Sequence, residues 1–497
     1  MLEPLLTAAD YLGQGINVAY LLLGVAVGLT FGSIPGLGGA TAIALLLPLT
    51  FGMEPEQAII LMGGIMGAVS IGGSISAILL NTPGTAPNAA TCIDGYPLTR
   101  QGKAGIAIGA AATASSVGGV ISLVILVLVL PVAKAIVLWF GPPAFFMLAV
   151  LGLTSLTVAS SNLLRGLIAA CLGLFFGFIG YDDIGGTERY TMGIEFLWDG
   201  MSIVPLLIGL FAIAEMMNLY RTGGPISKHE HDETLRVVGT LDGIKSVFAN
   251  VRTLISGSAI GTMVGMVPGV GGTVASFLAY SFAAQTSSNN ENFGAGDIRG
   301  VIAPEAANNA KDGGALIPTL AFGIPGSAEM AIFLGVLILH GIDPGPMLLI
   351  EREATIFMLI LALLFATLVS GALILVLAKH LAKIAHVDSM LLIPCVITVS
   401  LVGAYALHNS FGDVIVAAFF GALGYIMIRA DYPRITLVIA FVLSGLMERN
   451  FIQSMIMFEG DWLRFFSEKT SLVLFVLTLL ALSIPLLNRF RARGATS

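Results

Sequence analysis

Apolar runs of bilayer length succeed one another along this chain, among them residues 16–31, 104–130, 203–219, 355–377 and 472–487. Within them the apolar positions neither alternate nor keep to one stripe, the pattern of helices that are apolar all round. A helix needs about 20 such residues to cross the hydrocarbon core, so the runs predict roughly ten to twelve spans. One long polar stretch, residues 221–252, interrupts them and acts as a linker between a first membrane unit (1–220) and a second (253–497).

The two units repeat one another. Residues 24–39 return as residues 257–272, with eight of the sixteen positions identical, and both copies run from an apolar segment into Pro-Gly-x-Gly-Gly. Residues 72–86 resemble residues 313–328, with one residue inserted in the second copy, and Glu188-Arg189 corresponds to Glu448-Arg449. Proline removes a helical hydrogen bond and glycine frees the backbone to turn, so each unit contains two broken helices, at Pro35 and Pro83 and at Pro268 and Pro325. A broken helix in each of two related halves is the best sequence pointer to the binding site of a secondary transporter.

Composition agrees with a membrane setting: 56% of residues are hydrophobic and 11% charged, where a soluble protein carries about 25% charged. The formal net charge of -7 says little when so few residues are solvated. Cys92, Cys171 and Cys395 lie far apart, without disulfide or metal-ligand spacing. Glu3 and Asp10 precede the first apolar run with no basic residue, so no cleaved signal is expected.

Charge also predicts orientation. The linker (Arg221, Lys228, Arg236, Lys245, Arg252) and the tail (Arg489, Arg491, Arg493) belong in the cytoplasm by the positive-inside rule, and the N-terminus outside. Residues 378–386 carry Lys379 and Lys383, whereas 131–141 carry only Lys134; residues 429–434 are basic, whereas 182–189 are mostly acidic. Opposite bias in corresponding loops implies inverted halves, with residues 435–446 an extra apolar piece. The expected fold class is an all-α polytopic membrane protein of two inverted structural repeats, with broken or re-entrant helices at the Pro-Gly motifs.

The glycine stripes Gly24, Gly28, Gly32 and Gly257, Gly261, Gly265 are read as close helix packing. The consecutive glycines that follow are candidate substrate-binding positions: Gly36, Gly38 and Gly39, with Gly269, Gly271 and Gly272. Backbone groups freed inside a membrane need a wet cavity or protein around them; a packing kink is the alternative. At the second breaks, Asn81, Thr82, Thr85 and Ser327 offer oxygens to a coupling cation, and Pro325 and Gly326 offer freed backbone to the substrate. Helix capping is the bland alternative there. In the polar island 303–314, Asn308, Asn309 and Lys311 are candidate anion contacts, though a water-facing loop would look similar. Glu329, in apolar sequence, suits a cation or proton but repels an anionic substrate unless neutralised.

Other chemistry finds no support. Lys228-His229-Glu230-His231 in a solvated linker is incidental, and Gly180-Tyr181-Asp182-Asp183 lacks a second mid-span aspartate. Gln101-Gly102-Lys103-Ala104 lacks the first glycine and the hydroxyl of a phosphate loop. No nucleotide engine, cofactor, metal, nucleic-acid partner or enzymatic activity is expected.

Residues 32–39, 81–84, Asp94-Gly95-Tyr96-Pro97, Gly102-Lys103-Ala104-Gly105, 304–314 and 323–327, in this order, resemble the large membrane subunit of the tripartite tricarboxylate transporters. The resemblance covers nearly the whole chain. It implies a multi-pass subunit of the bacterial inner membrane, a small membrane-protein partner, and a periplasmic solute-binding protein that delivers a carboxylate. It also implies uptake driven by an ion gradient, sodium or proton. Glu329 stands where the resemblance would lead one to expect a small or neutral residue. The competing reading is a stand-alone ion-coupled transporter or channel for another small solute; a channel would want charged rings or filter carbonyls around one pore.

Overall fold

The structure is a computed structural model that describes residues 2–160, 162–182, 184–222, 237–384 and 389–494. Among these residues eight helices are long and apolar enough to cross a membrane, or nine if the pair Thr240–Ala249 and Val251–Gly265, bent by 80°, is one span. This is fewer than the ten to twelve expected. The helices that follow three of the Pro-Gly breaks are short: Gly38–Leu46 has 9 residues, Gly271–Thr286 has 16 and Ala328–Leu339 has 12. At 1.5 Å per residue the first reaches only about 14 Å, half the hydrocarbon thickness.

Two buried helices form the centre. Pro55–Leu80 is buried at every position from Ala58 onward, as its almost wholly apolar sequence requires. Arg299–Phe322 is buried continuously from Gly300 to Leu316, although it contains the polar island and two prolines. The island is therefore a core helix, not a water-facing loop. Its polarity hides it from a hydropathy reading, because Glu305, Asn308, Asn309, Lys311 and Asp312 are polar yet buried.

The glycine stripes explain how these helices are held. A Cβ on Gly24, Gly28 or Gly32 would lie 2.3, 2.6 or 2.2 Å from the carbonyl oxygens of Leu61, Ile65 and Val69. Gly257, Gly261 and Gly265 stand in the same way 2.6, 2.4 and 2.3 Å from those of Ala303, Ala307 and Lys311. The stripes are thus packing seams. These contacts also fix the repeat alignment: Val69 corresponds to Lys311 and Gly84 to Gly326, with the same spacing and no inserted residue between them. We expect Gly28→Leu to abolish folding, since backbone on both sides cannot yield, while Gly445→Ala, with nothing within 4 Å of its Cβ, gains up to about 1 kcal/mol of helix propensity. Monodispersity and thermal melting of the purified variants check both.

Three further segments take definite shape. The second part of the linker folds as helix Thr240–Ala249, seated where Gly105 and Gly109 of helix Ala104–Val137 leave room for the backbone of Val238 and Thr240. Residues 435–446 are no separate piece but part of the 24-residue helix Arg434–Met457. Residues 180–181 and 188–189 pair as a two-residue antiparallel ladder, Gly180 opposite Arg189. Arg189 then forms a two-pronged ion pair with Glu448, so the two corresponding Glu-Arg dipeptides meet. In that hairpin the N–H groups of Ile184 and Gly185, each at 3.0 Å, hold the Asp182 carboxyl below its ordinary value and give it a turn-capping role. Asp183, Lys228, His229, Glu230, His231 and Arg236 lie outside the described residues.

Candidate functional site

The first break of each half is a tight helical hairpin. Gly15–Ser33 turns into Gly38–Leu46 through Gly36 (φ +86°) and Gly38 (φ +60°); Val251–Gly265 turns into Gly271–Thr286 through Gly269 (φ +78°) and Gly271 (φ +74°). These left-handed conformations account for glycine at each position. The second breaks match as closely. Pro55–Leu80 ends on left-handed Asn81 (φ 51°), and Arg299–Phe322 on left-handed Gly323 (φ 68°). In both, the next N–H reaches back to the helix, Thr82 to Ser76 O at 3.3 Å and Ile324 to Pro318 O at 3.2 Å. Thr85 and Ser327 follow in extended backbone and open new helices.

All four breaks face one cavity of about 610 Å³. Gly36, Gly38, Gly39, Thr85, Gly269, Gly271, Gly272, Lys311, Ser327 and Glu329 line it. The helices starting at Gly38, Gly271 and Ala328 present their N-termini to it, with the 3₁₀ turn Ala86–Asn88 at the remaining break, Pro83. Unpaired N–H groups and the positive ends of helix dipoles make such a place suited to an anion. Its volume falls within the range of small-molecule sites.

The remaining candidates stand elsewhere. Thr82 lines a smaller side cavity of about 290 Å³ with Pro35, Gly36 and Pro83. Asn81 is exposed and serves as the helix cap, the alternative role foreseen for it. Pro325 and Gly326 are buried behind the tip, where Gly326 O accepts the N–H of Gly269 at 3.2 Å and joins the two breaks of the second half. Asn308 and Asn309 are buried within helix Arg299–Phe322, away from the cavity wall. Ser327 Oγ also caps its helix, accepting from the Met330 N–H at 3.3 Å.

Charge is distributed unevenly around the cavity. Lys311 Nζ pairs with Asp312 at 2.6 Å, and its stem runs so close to the second hairpin that a Cβ on Gly272 would lie 2.4 Å from it. At the corresponding place in the first half, a Cβ on Gly39 would meet Val69 at 3.0 Å and Glu329 at 3.1 Å. The same architecture thus carries a cation in one half and a carboxylate beside the other. Arg434 adds a second positive group, held by Glu215 at 3.1 Å and by the Leu210 carbonyl at 2.8 Å.

Sequence reading missed Arg434 and Glu215 as wall residues. Arg434 served only as a marker of loop charge, yet Glu215 in the apolar run 203–219 carried the usual signal of a functional intramembrane carboxylate. Also missed was Asp94, fully buried, which accepts the N–H groups of Gly294, Gly296 and Asp297 at 2.8–2.9 Å and the Tyr280 hydroxyl at 2.9 Å. It ties the first half's second break to the loop that enters helix Arg299–Phe322.

The model of the tripartite tricarboxylate transporter TctA family matches residues 18–439. Among curated proteins the chain is similar to an uncharacterized 52.8 kDa protein in the TAR-I ttuC' 3' region of Agrobacterium vitis, 33% identical over 96% of this chain and 95% of that protein. It is also 33% identical, over 47% of its length, to an uncharacterized protein in the TAR-II ttuC' 3' region of the same organism, 96% of which is covered. No solved structure matches. A family match across the breaks and both central helices, on a chain with eight or nine bilayer-length helices, settles the class: the chain is a multi-pass membrane protein that belongs to the tripartite tricarboxylate transporter TctA family.

Proposed function

We propose that this chain is the translocation subunit of an ion-gradient-driven, binding-protein-dependent importer of carboxylates of the tricarboxylate or dicarboxylate type. It sits in the bacterial inner membrane and works with a small membrane subunit and a periplasmic solute-binding protein. Its halves are inverted repeats related by a pseudo-two-fold axis in the membrane plane. The observation that carries this reading is the meeting of all four Pro-Gly breaks, with their helix N-termini and Lys311, around one cavity.

A carboxylate entering the cavity meets the N-terminal ends of three helices already in its wall, so little reorganisation is needed. The N-terminus of each helix contributes about 0.3–2 kcal/mol toward an anion, depending on burial. Lys311 and Arg434 bring positive groups to the wall, each paired with a carboxylate (Asp312 and Glu215), and Glu329 adds a further carboxylate. Short half-helices on hairpin arms provide the moving parts of alternating access, one repeat rocking against the other. The coupling ion, sodium or proton, supplies the energy by moving down its gradient.

Co-reconstitution into liposomes with the small subunit and the binding protein tests this. Labelled citrate should accumulate when an inward sodium or proton gradient is applied, and ATP should make no difference. Uptake that needs ATP, or that proceeds equally without the binding protein, would count against the proposal.

A further inference from the structure

Helix Arg299–Phe322 buries a carboxylate that no cation among the described residues balances. Glu305 is 0% exposed, and its donors are all neutral: Asn88 Nδ2 at 3.0 Å and Thr91 Oγ1 at 2.5 Å to Oε1, and Ser115 Oγ at 2.7 Å to Oε2. Burying an ionised carboxylate costs several kcal/mol unless an opposite charge is near. The turn that follows carries a second anomaly. Among the described residues, neither amide atom of Asn308 (1% exposed) nor the Oδ1 of Asn309 (3% exposed) finds a hydrogen-bond partner. Positions 305, 308, 309 and 312 are spaced i, i+3, i+4 and i+7, so these groups share one face of the helix.

We propose that Glu305, Asn308 and Asn309 form a sodium site, reached from the cavity through Thr85 and Asn88. Thr85 lines the cavity and its hydroxyl donates to Asn88 Oδ1, while Asn88 Nδ2 donates to Glu305. This polar path leads from the cavity to the carboxylate. A hard monovalent cation takes oxygen ligands, and the face offers a carboxylate and two free amide oxygens. One positive charge is the amount required, because Asp312 on the same face is already matched by Lys311 at 2.6 Å. A proton on Glu305 would cancel its charge but leave both amide oxygens unpartnered; sodium satisfies all three at once.

The site rests on the ion-coupled reading above and gives the coupling ion a place. It also gives a mechanism for coupling. The bound ion fixes Glu305 and, through Asn88 and Thr85, the tip of the second break, whose backbone faces the substrate.

The test uses the purified full chain, with ²²Na⁺ binding by scintillation proximity and thermal melting in sodium chloride against choline chloride. Wild type should bind ²²Na⁺ saturably, without competition from choline, and melt at a higher temperature in sodium. Glu305→Gln should lose both effects. Because that variant disturbs three hydrogen bonds, Asn308→Ala is the second probe. It removes an amide with no partner, so it should fold in choline as well as wild type does and still lose sodium binding. Absence of saturable binding in wild type, unchanged binding in Asn308→Ala, or a response to pH alone would each overturn the site. Gradient-driven uptake by a chain that binds no sodium would sink this inference and spare the proposed function. Sodium binding without gradient-driven uptake would do the reverse.

Discussion

Gly269→Val is expected to abolish carboxylate uptake while the protein still inserts and purifies. At φ +78° a β-branched residue is a steric outlier, costing about 1–2 kcal/mol for the backbone alone. Its Cβ would also stand 2.0 Å from Leu156 Cδ2 and 3.2 Å from Leu156 Cα, so either Leu156 or the hairpin must move. Displacing a binding element by about 1 Å costs on the order of a hundredfold in a positioned reaction, and the same scale applies to a cavity built from backbone N–H groups. The corresponding Gly36 has nothing within 4 Å of its Cβ, so there the φ of +86° is the whole obstacle. The two glycines therefore separate by rescue. Leu156→Ala should partly restore Gly269→Ala and do nothing for Gly36→Ala, as measured by initial uptake rates in proteoliposomes.

Lys311→Ala should cost both stability and transport, and the partner variant tells these apart. Removing one member of a buried ion pair strands the other, at about 3–5 kcal/mol, so Asp312 alone would destabilise the central helix. Lys311→Ala combined with Asp312→Ala removes both charges and should recover most of the melting temperature. Uptake should stay lost in the double variant, because the cavity proposed to bind the carboxylate has lost the Lys311 cation from its wall. A double variant that melts and transports like wild type would reduce Lys311 to a structural role.

The sequence made some of this legible and hid the rest for physical reasons. The four breaks could be read because proline and glycine act locally, and a duplicated Pro-Gly is hard to mistake. That they share one cavity depends on the packing of Gly24, Gly28 and Gly32, and of their counterparts, on the central helices; the stripes were visible but not their partners. Apolar patterning found the plain spans and overcounted them, since a half-helix such as Gly38–Leu46 has the composition of a span without its length. The polar island left two readings open, a site and a water-facing loop, because Glu305, Asn308 and Asp312 in a row fit either; every one is buried. Asn81 illustrates a different limit. Its oxygen suggested a ligand, and nothing in the sequence signalled the left-handed backbone that Asn81 shares with Gly323 in the corresponding position.

The central claim is that the cavity between the four breaks is where the carboxylate binds, and labelling of its wall tests it most directly. Thr273 lines the cavity. Thr273→Cys, in a background with Cys92, Cys171 and Cys395 replaced by serine, should react with a small maleimide in proteoliposomes. Citrate delivered by the binding protein, with the ion gradient in place, should slow that reaction several-fold, and choline chloride at equal ionic strength should not. If the thiol reacts at the same rate with and without citrate in vesicles that transport it, the carboxylate binds elsewhere and the four breaks are packing kinks.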